Sequence, residues 1–324
     1  MKRTLIAFSS CLIFALGCTK ETTKEDITDT PSEEIAIAGR CASQEMLAAQ
    51  LQKDPGLAGR MQAIEEVTAR FVKNPDNQFR SGDVIIIPVV VNILYKTAAE
   101  NVSDAQIQSQ IDVLNADFAA SNSDYGSTPS TFQSVRSGDT KIRFILDAVV
   151  KKSTSKTSWR TDDAMKKTSR GGIDPTSPTT KLNLWVCNMS GGILGYAQFP
   201  GGSSATDGIV VDDMAFGKTG TAAAPYGLGR TATHEVGHWL NLRHIWGDAT
   251  CGNDFVGDTP VAQSSNGGCP VFPKYGSCSA TVPMMTMNYM DYTYDACMYM
   301  FSLGQGTRMN ATFATGGGRA SFGL

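Results

Sequence analysis

Between residues 84 and 95 the chain reads "VIIIPVVVNILY", a continuous β-branched run without polar alternation. Such a run marks a strand buried on both faces. After Ser103 the period changes. Ile107, Ile111, Leu114 and Phe118 recur at helical spacing, which predicts a helix with one apolar face and Ser103 as its cap. Further strands are predicted at "KIRFILDAVV" (141–150), "LNLWVCNM" (182–189), "GYAQFP" (195–200) and "GIVVDD" (208–213). Upstream, residues 35–80 hold a small segment of helical pattern, ended by a break at "NPDNQFRSGD". A strand, a helix, more strands and then a further helix describe an α+β fold, a mixed sheet with helices packed against it. From residue 251 to 297 periodicity is lost among Gly, Asn, Ser and Pro, and the terminal "TGGGRASFGL" reads as a solvated tail.

The first 18 residues, "MKRTLIAFSSCLIFALGC", place Lys2 and Arg3 before an apolar run from Thr4 to Gly17. The run is too short to span a bilayer as a mature helix and reads as an export signal. Its Gly-Cys ending also fits a bacterial lipoprotein signal with Cys18 acylated after cleavage, although Ala15-Leu16 reverses the usual Leu-then-small order. Membrane contact is expected only through that anchor. Residues 19–34 form a polar tether. With 41% hydrophobic and 18% charged residues the chain can bury a sizeable core. A net charge of −3 and the lack of a basic stripe argue against a nucleic-acid surface. Export permits disulfides. Cys251, Cys269, Cys278 and Cys297 fall in the irregular segment, where two bridges would supply staples, and spacing alone does not choose among the three pairings.

All three histidines of the chain lie within "THEVGHWLNLRHIWGD", residues 233–248. His234 and His238 are four apart and share one face of a helix, with Glu235 between them, the HExxH arrangement of zinc peptidases. Were the helix to continue, His244 would lie about 9 Å further along the axis and on another face. It joins the site only if the chain turns sharply. Asn241 is the residue that allows this, because asparagine tolerates positive φ.

"HEVGHWLNLRH", with "NYMDYTYDACMYMFSLGQGTRM" after it, resembles the pappalysin family of metzincin metallopeptidases, in particular its ulilysin-like bacterial members, over roughly residues 36–318. Asn241 stands where glycine is usual in the broader metzincin pattern. The resemblance implies a metzincin-type fold: a twisted mixed sheet backed by helices, an active-site helix and a disulfide-stapled C-terminal subdomain. It implies a signal over 1–18, a pro-segment with its tether over 19–79 and a catalytic domain over 80–324. His234, His238 and His244 would ligate Zn2+, and Glu235 would act as general base towards water acidified by that zinc, then return the proton to the leaving amine. Met290 would be the Met-turn residue, and Tyr292 would hydrogen-bond the oxyanion of the tetrahedral intermediate. The resemblance further implies the pairs Cys251–Cys278 and Cys269–Cys297.

Cys41, upstream in "AGRCASQEM", would close the site in the precursor as a cysteine switch, its thiolate taking the water's place on zinc. The alternative is a disulfide to Cys187, whose apolar strand suits a buried free thiol. Asp254, Asp258 and Thr259 in "CGNDFVGDTP" offer hard oxygens for a structural Ca2+, or form a turn for backbone reasons. "GGILGYAQFPGG" would be the edge strand that aligns an extended peptide. Asp295, five residues after Met290, would floor the S1′ pocket and favour cleavage before Arg or Lys, with activation between Phe79 and Arg80. Asp295 could otherwise cap the turn before "ACMYMF". The expected protein is a monomeric, exported zinc endopeptidase acting on proteins and peptides. The competing reading is a non-catalytic surface lipoprotein with a structural zinc. Glu235 separates the two, since a closed structural site calls for a fourth protein ligand and has no need of that carboxylate. Asp248 is the only other candidate nearby, and the resemblance does not support it as a ligand.

Overall fold

A computed structural model describes residues 40–74 and 84–322. The expected signal, the tether and the bond between Phe79 and Arg80 lie outside the described residues. Those described belong to one compact unit, Ala36–Leu324. Its main sheet has six strands in the spatial order β1 (Arg40–Cys41), β5 (Ile193–Ala197), β6 (Ile209–Asp212), β4 (Leu182–Cys187), β2 (Ile85–Tyr95) and β3 (Ile142–Ser153). Strands β6, β4, β2 and β3 are mutually parallel. Strand β5 runs antiparallel to β6, and β1 pairs parallel to β5. The sheet is therefore mixed.

The long apolar run forms β2, which lies between β4 and the edge strand β3 and is buried along nearly its whole length. Helix α3 (Asp104–Phe118) begins where expected, with the Ser103 hydroxyl accepting from Gln106 N at 3.1 Å. Its Ile107, Ile111, Leu114 and Phe118 pack with Ile87, Val89 and Val91 of β2. Helix α4 (Arg230–Trp239) adds Ala232, Val236 and Trp239 to the same core. The opposite face of the sheet carries a second core around Trp185, Tyr196 and Met165. Among the described residues no helix is long and apolar enough to cross a membrane.

The helical pattern upstream becomes α1 (Ser43–Lys53) and α2 (Leu57–Lys73), separated at Asp54–Gly56. The short β1 that precedes them was not foreseen, because two residues carry no period. The strand expected at 195–200 instead spans Ile193–Ala197. Downstream, Cys251 is bonded to Cys278 and Cys269 to Cys297. A two-stranded ribbon of β7 (Gly267–Gly268) and β8 (Tyr292–Thr293) lies in this region, followed by α5 (Leu303–Ala311) with a Ser302–Gln305 capping box.

The terminal segment corrects the expectation of a solvated tail. Arg319 is buried, donating to Trp239 O at 3.1 Å and pairing with Asp207 at 2.6 Å, while its guanidinium lies 4.0 Å from the Trp239 ring centroid. Phe322 meets the Trp239 ring edge-on at 4.9 Å. One arginine and one phenylalanine among glycines give no periodic signal. Their anchor, Trp239, sits 80 residues before Arg319, on helix α4.

Candidate active site

Helix α4 presents His234, Glu235 and His238, all buried. It ends in a Schellman turn. Leu242 N donates to Gly237 O at 2.9 Å, Asn241 N donates to His238 O at 2.9 Å, and Asn241 adopts φ +69°. The asparagine thus holds the left-handed position that the sequence required of it. The chain reverses, and His244 Nε2 comes within 3.1 Å of His238 Nε2, as does His234 Nε2.

Each imidazole is held from behind. His234 Nδ1 contacts Tyr289 O at 2.6 Å and His238 Nδ1 contacts Leu242 O at 2.8 Å. A carbonyl can only accept, so both Nδ1 atoms carry the proton and both Nε2 lone pairs face inwards. His244 Nδ1 pairs with Asp248 Oδ1, and its ring stacks on Trp246 at 4.2 Å with a 7° tilt. Asp248 therefore approaches the ligand from behind. Burial pushes His234 down to about 4 and holds His238 and His244 well below the usual histidine range, so all three rings are neutral donors.

Cys41 Sγ completes a group of four donor atoms that lie within 4.8 Å of one another. Neither Cys41 nor Cys187 is in a disulfide. Three neutral imidazole nitrogens and a thiol are a donor set that fits zinc. Glu235 Oε1 is buried beside them without a hydrogen-bond partner among the described residues, and burial raises this carboxyl to about 8.

Met290 lies fully buried beneath α4. A Cβ on Gly237 would stand 2.5 Å from Met290 Sδ, so glycine at 237 is what lets the two surfaces meet. Tyr292, in β8, sits edge-on to His244 at 4.9 Å and donates to Cys41 O at 3.1 Å. Strand β5 passes over the helix. A Cβ on Gly195 would lie 2.7 Å from Val210 O and 3.0 Å from Glu235 Cγ, so glycine is what fits between β6 and the helix here. The outer edge of β5 pairs with β1, so the strand expected to receive a peptide is covered by the segment that carries Cys41.

A cavity opens beside His234 and Glu235, lined by Tyr226, Thr231, Asp295 and Met298 among others. Asp295 is buried in its wall. Its Oδ2 accepts from Leu228 N at 2.8 Å and Arg230 N at 3.2 Å, so it also caps the start of α4. Burial raises its carboxyl to about 6. Asp254 and Asp258 have separate partners. The former accepts from Thr259 Oγ1 at 2.6 Å, whereas the latter accepts from Ser302 Oγ and Gly304 N at the start of α5. Sequence reasoning missed Ser43, Gly195 and Trp246, none of which belongs to a spaced motif.

The family model described as pregnancy-associated plasma protein-A matches residues 183–314. Extracellular metalloprotease 1 of Coccidioides posadasii is 34% identical over 218 residues, covering 65% of this chain and 69% of that protein. An extracellular metalloprotease of Colletotrichum graminicola is 32% identical over 277 residues, covering 80% of this chain and 90% of its own length. Among solved structures, mature mirolysin of Tannerella forsythia in complex with a cleaved peptide superposes with a TM-score of 0.72 at 45% identity, over 74% of this chain and 96% of that one. A promirolysin mutant of the same organism gives 0.76 at 40% identity, over 87% and 95%. With this much of each relative covered, and a histidine cluster of zinc-binding geometry, the chain belongs to the pappalysin family of metzincin metallopeptidases.

Proposed function

We propose that the chain is an exported zinc endopeptidase made as a zymogen, with His234, His238 and His244 as ligands and Glu235 as general base. One observation carries the reading: three inward-facing Nε2 atoms converge beside a buried carboxylate oxygen, Glu235 Oε1, that has no hydrogen-bond partner among the described residues. Zinc supplies a Lewis acid that polarises the scissile carbonyl and acidifies water. Glu235 takes the proton of the attacking water and passes it to the leaving amine. Tyr292 donates its phenol to the oxyanion, a role supported by its place against His244. In the precursor Cys41 would hold the zinc together with the three histidines, its sulfur being grouped with their nitrogens. Removal of the upstream segment, with cleavage between Phe79 and Arg80, frees β5 to align a peptide.

Asp295 supports a preference for cleavage before Arg or Lys, because a buried carboxylate in the cavity wall gains most from a cationic side chain. Calcium at Asp254, Asp258 and Thr259 belongs to the same reading. Burial raises Asp254 to about 6, a cost that a cation would relieve. The relatives named extracellular support export.

The test is Glu235→Ala, assayed by casein hydrolysis beside metal analysis. The expected result is one zinc per chain, an intact fold and activity lowered by several orders of magnitude. Substantial residual proteolysis would overturn the mechanism. Retention of zinc with no activity in the activated wild-type protein would favour the binding-module reading.

A further inference from the structure

The segment that carries Cys41 brings a second polar side chain into the site. Ser43, the first residue of α1, is fully buried. Its hydroxyl donates to Glu235 Oε2 at 2.9 Å and accepts from Ala197 N, the last residue of β5, at 2.8 Å. Cys41 Sγ donates to the Ser43 hydroxyl oxygen at 3.1 Å and lies 3.4 Å from Glu235 Oε2, and Ser43 N donates back to that sulfur at 3.3 Å. A hydroxyl has one proton and two lone pairs. All three are used, each on a group that proteolysis needs or that closes the site.

We propose that Ser43 is a second arm of latency, holding Glu235 and the Ala197 N–H of the edge strand without involving the metal. The donor offered to Glu235 is an O–H, the kind of donor the attacking water presents. While Ser43 is in place the carboxylate is occupied on Oε2, and β5 has lost a backbone donor to an oxygen that is not substrate. Cys41 and Ser43 therefore overlap without duplicating each other: the thiol lies among the histidines and at 3.4 Å from Glu235 Oε2, whereas the hydroxyl makes the shorter bond to that oxygen and ties it to the backbone of β5. Ser43 also fixes Cys41, since the thiol and the hydroxyl are linked in both directions. This inference rests on the roles given to Glu235 and Cys41 above.

The experiment uses the precursor stripped of metal by a chelator, so that only protein contacts hold the segment. Alkylation of Cys41 by iodoacetamide, followed by peptide mass spectrometry, reads how often the segment lifts away. Ser43→Ala should speed labelling of Cys41 on the order of tenfold, the loss expected for a buried hydrogen bond to a carboxylate. Labelling of Cys187 should not change. Equal Cys41 labelling in Ser43→Ala and wild type overturns the proposal.

In the zinc-loaded precursor, Cys41→Ala combined with Ser43→Ala should hydrolyse peptides several-fold faster than Cys41→Ala alone. Equal rates would likewise overturn it. After activation the wild-type and Ser43→Ala enzymes should be indistinguishable, because residue 43 has been released. If no form hydrolyses peptides, the peptidase reading fails on its own, while the labelling result still decides whether Ser43 holds the segment.

Discussion

Gly237 and Met290 are packed so closely that a methyl group on the glycine would lie 2.5 Å from the methionine sulfur. Met290 has no exposed surface into which it could move. Alanine gains about 1 kcal/mol over glycine in a helix, but overpacking of a filled core typically costs about 1–3 kcal/mol. Gly237→Ala should therefore lower the unfolding free energy by up to about 2 kcal/mol, despite the better helix former. Thermal unfolding of the single variants and of Gly237→Ala combined with Met290→Ala checks this. The penalty at 237 should vanish once the sulfur is gone, and a penalty that persists would place the strain elsewhere.

Asn241 holds φ +69° at the turn that returns His244. Glycine reaches this conformation without strain, whereas a β-branched residue does not. Asn241→Gly should keep zinc and melt within a few degrees of wild type. Asn241→Val should weaken zinc binding at least tenfold in a chelator competition, because the third imidazole is no longer delivered. Equal zinc affinity in the two variants would show that the turn does not control the site.

Cys41 holds the precursor inactive in the proposed function. Cys41→Ala should raise the basal rate of peptide hydrolysis or hasten autoprocessing, followed by N-terminal sequencing and a fluorogenic peptide. The first residue of the mature form is expected to be Arg80. A precursor variant as silent and as slow to process as wild type would assign latency to the rest of the segment.

Asp295, raised by burial to about 6, ties specificity to pH. Above that value it is ionised and attracts a guanidinium. Below it the carboxyl is neutral and the attraction falls away. The ratio of kcat/KM for peptides with Arg and with Leu at P1′ should therefore drop as pH falls through about 6. Titration of Glu235 and the metal site cancels in this ratio, since both peptides share them. Asp295→Asn should flatten the profile and lower the Arg preference by at least tenfold. A ratio that ignores both pH and this substitution would remove Asp295 from specificity.

Calcium removal offers a separate check. EGTA, which leaves tightly held zinc in place, should lower the melting temperature of the wild-type protein by several degrees, and added Ca2+ should restore it. Asp254→Ala should melt low under both conditions. A wild-type melt unaffected by either addition would leave the 251–260 loop as turn and helix-cap chemistry.

The histidine cluster was legible in the sequence because its geometry is local. Two histidines four apart share a helix face, and one residue able to adopt positive φ returns the third, all within eleven positions. Strand β2 was equally legible, since burial on both faces leaves an unbroken apolar run. The contact of Ser43 with that site was not. Ser43 and Glu235 are 192 residues apart, and a single buried serine at the start of a helix looks like any other. Arg319 read as part of a solvated tail for the same reason: its partners, Asp207 and Trp239, lie 112 and 80 residues away. Gly195 and Gly237 show their purpose only once Val210 and Met290 are in place against them. Periodicity and spacing report contacts made along one element. A lone polar or small residue acquires its partner only when distant segments pack, and the tertiary structure alone decided which ones met.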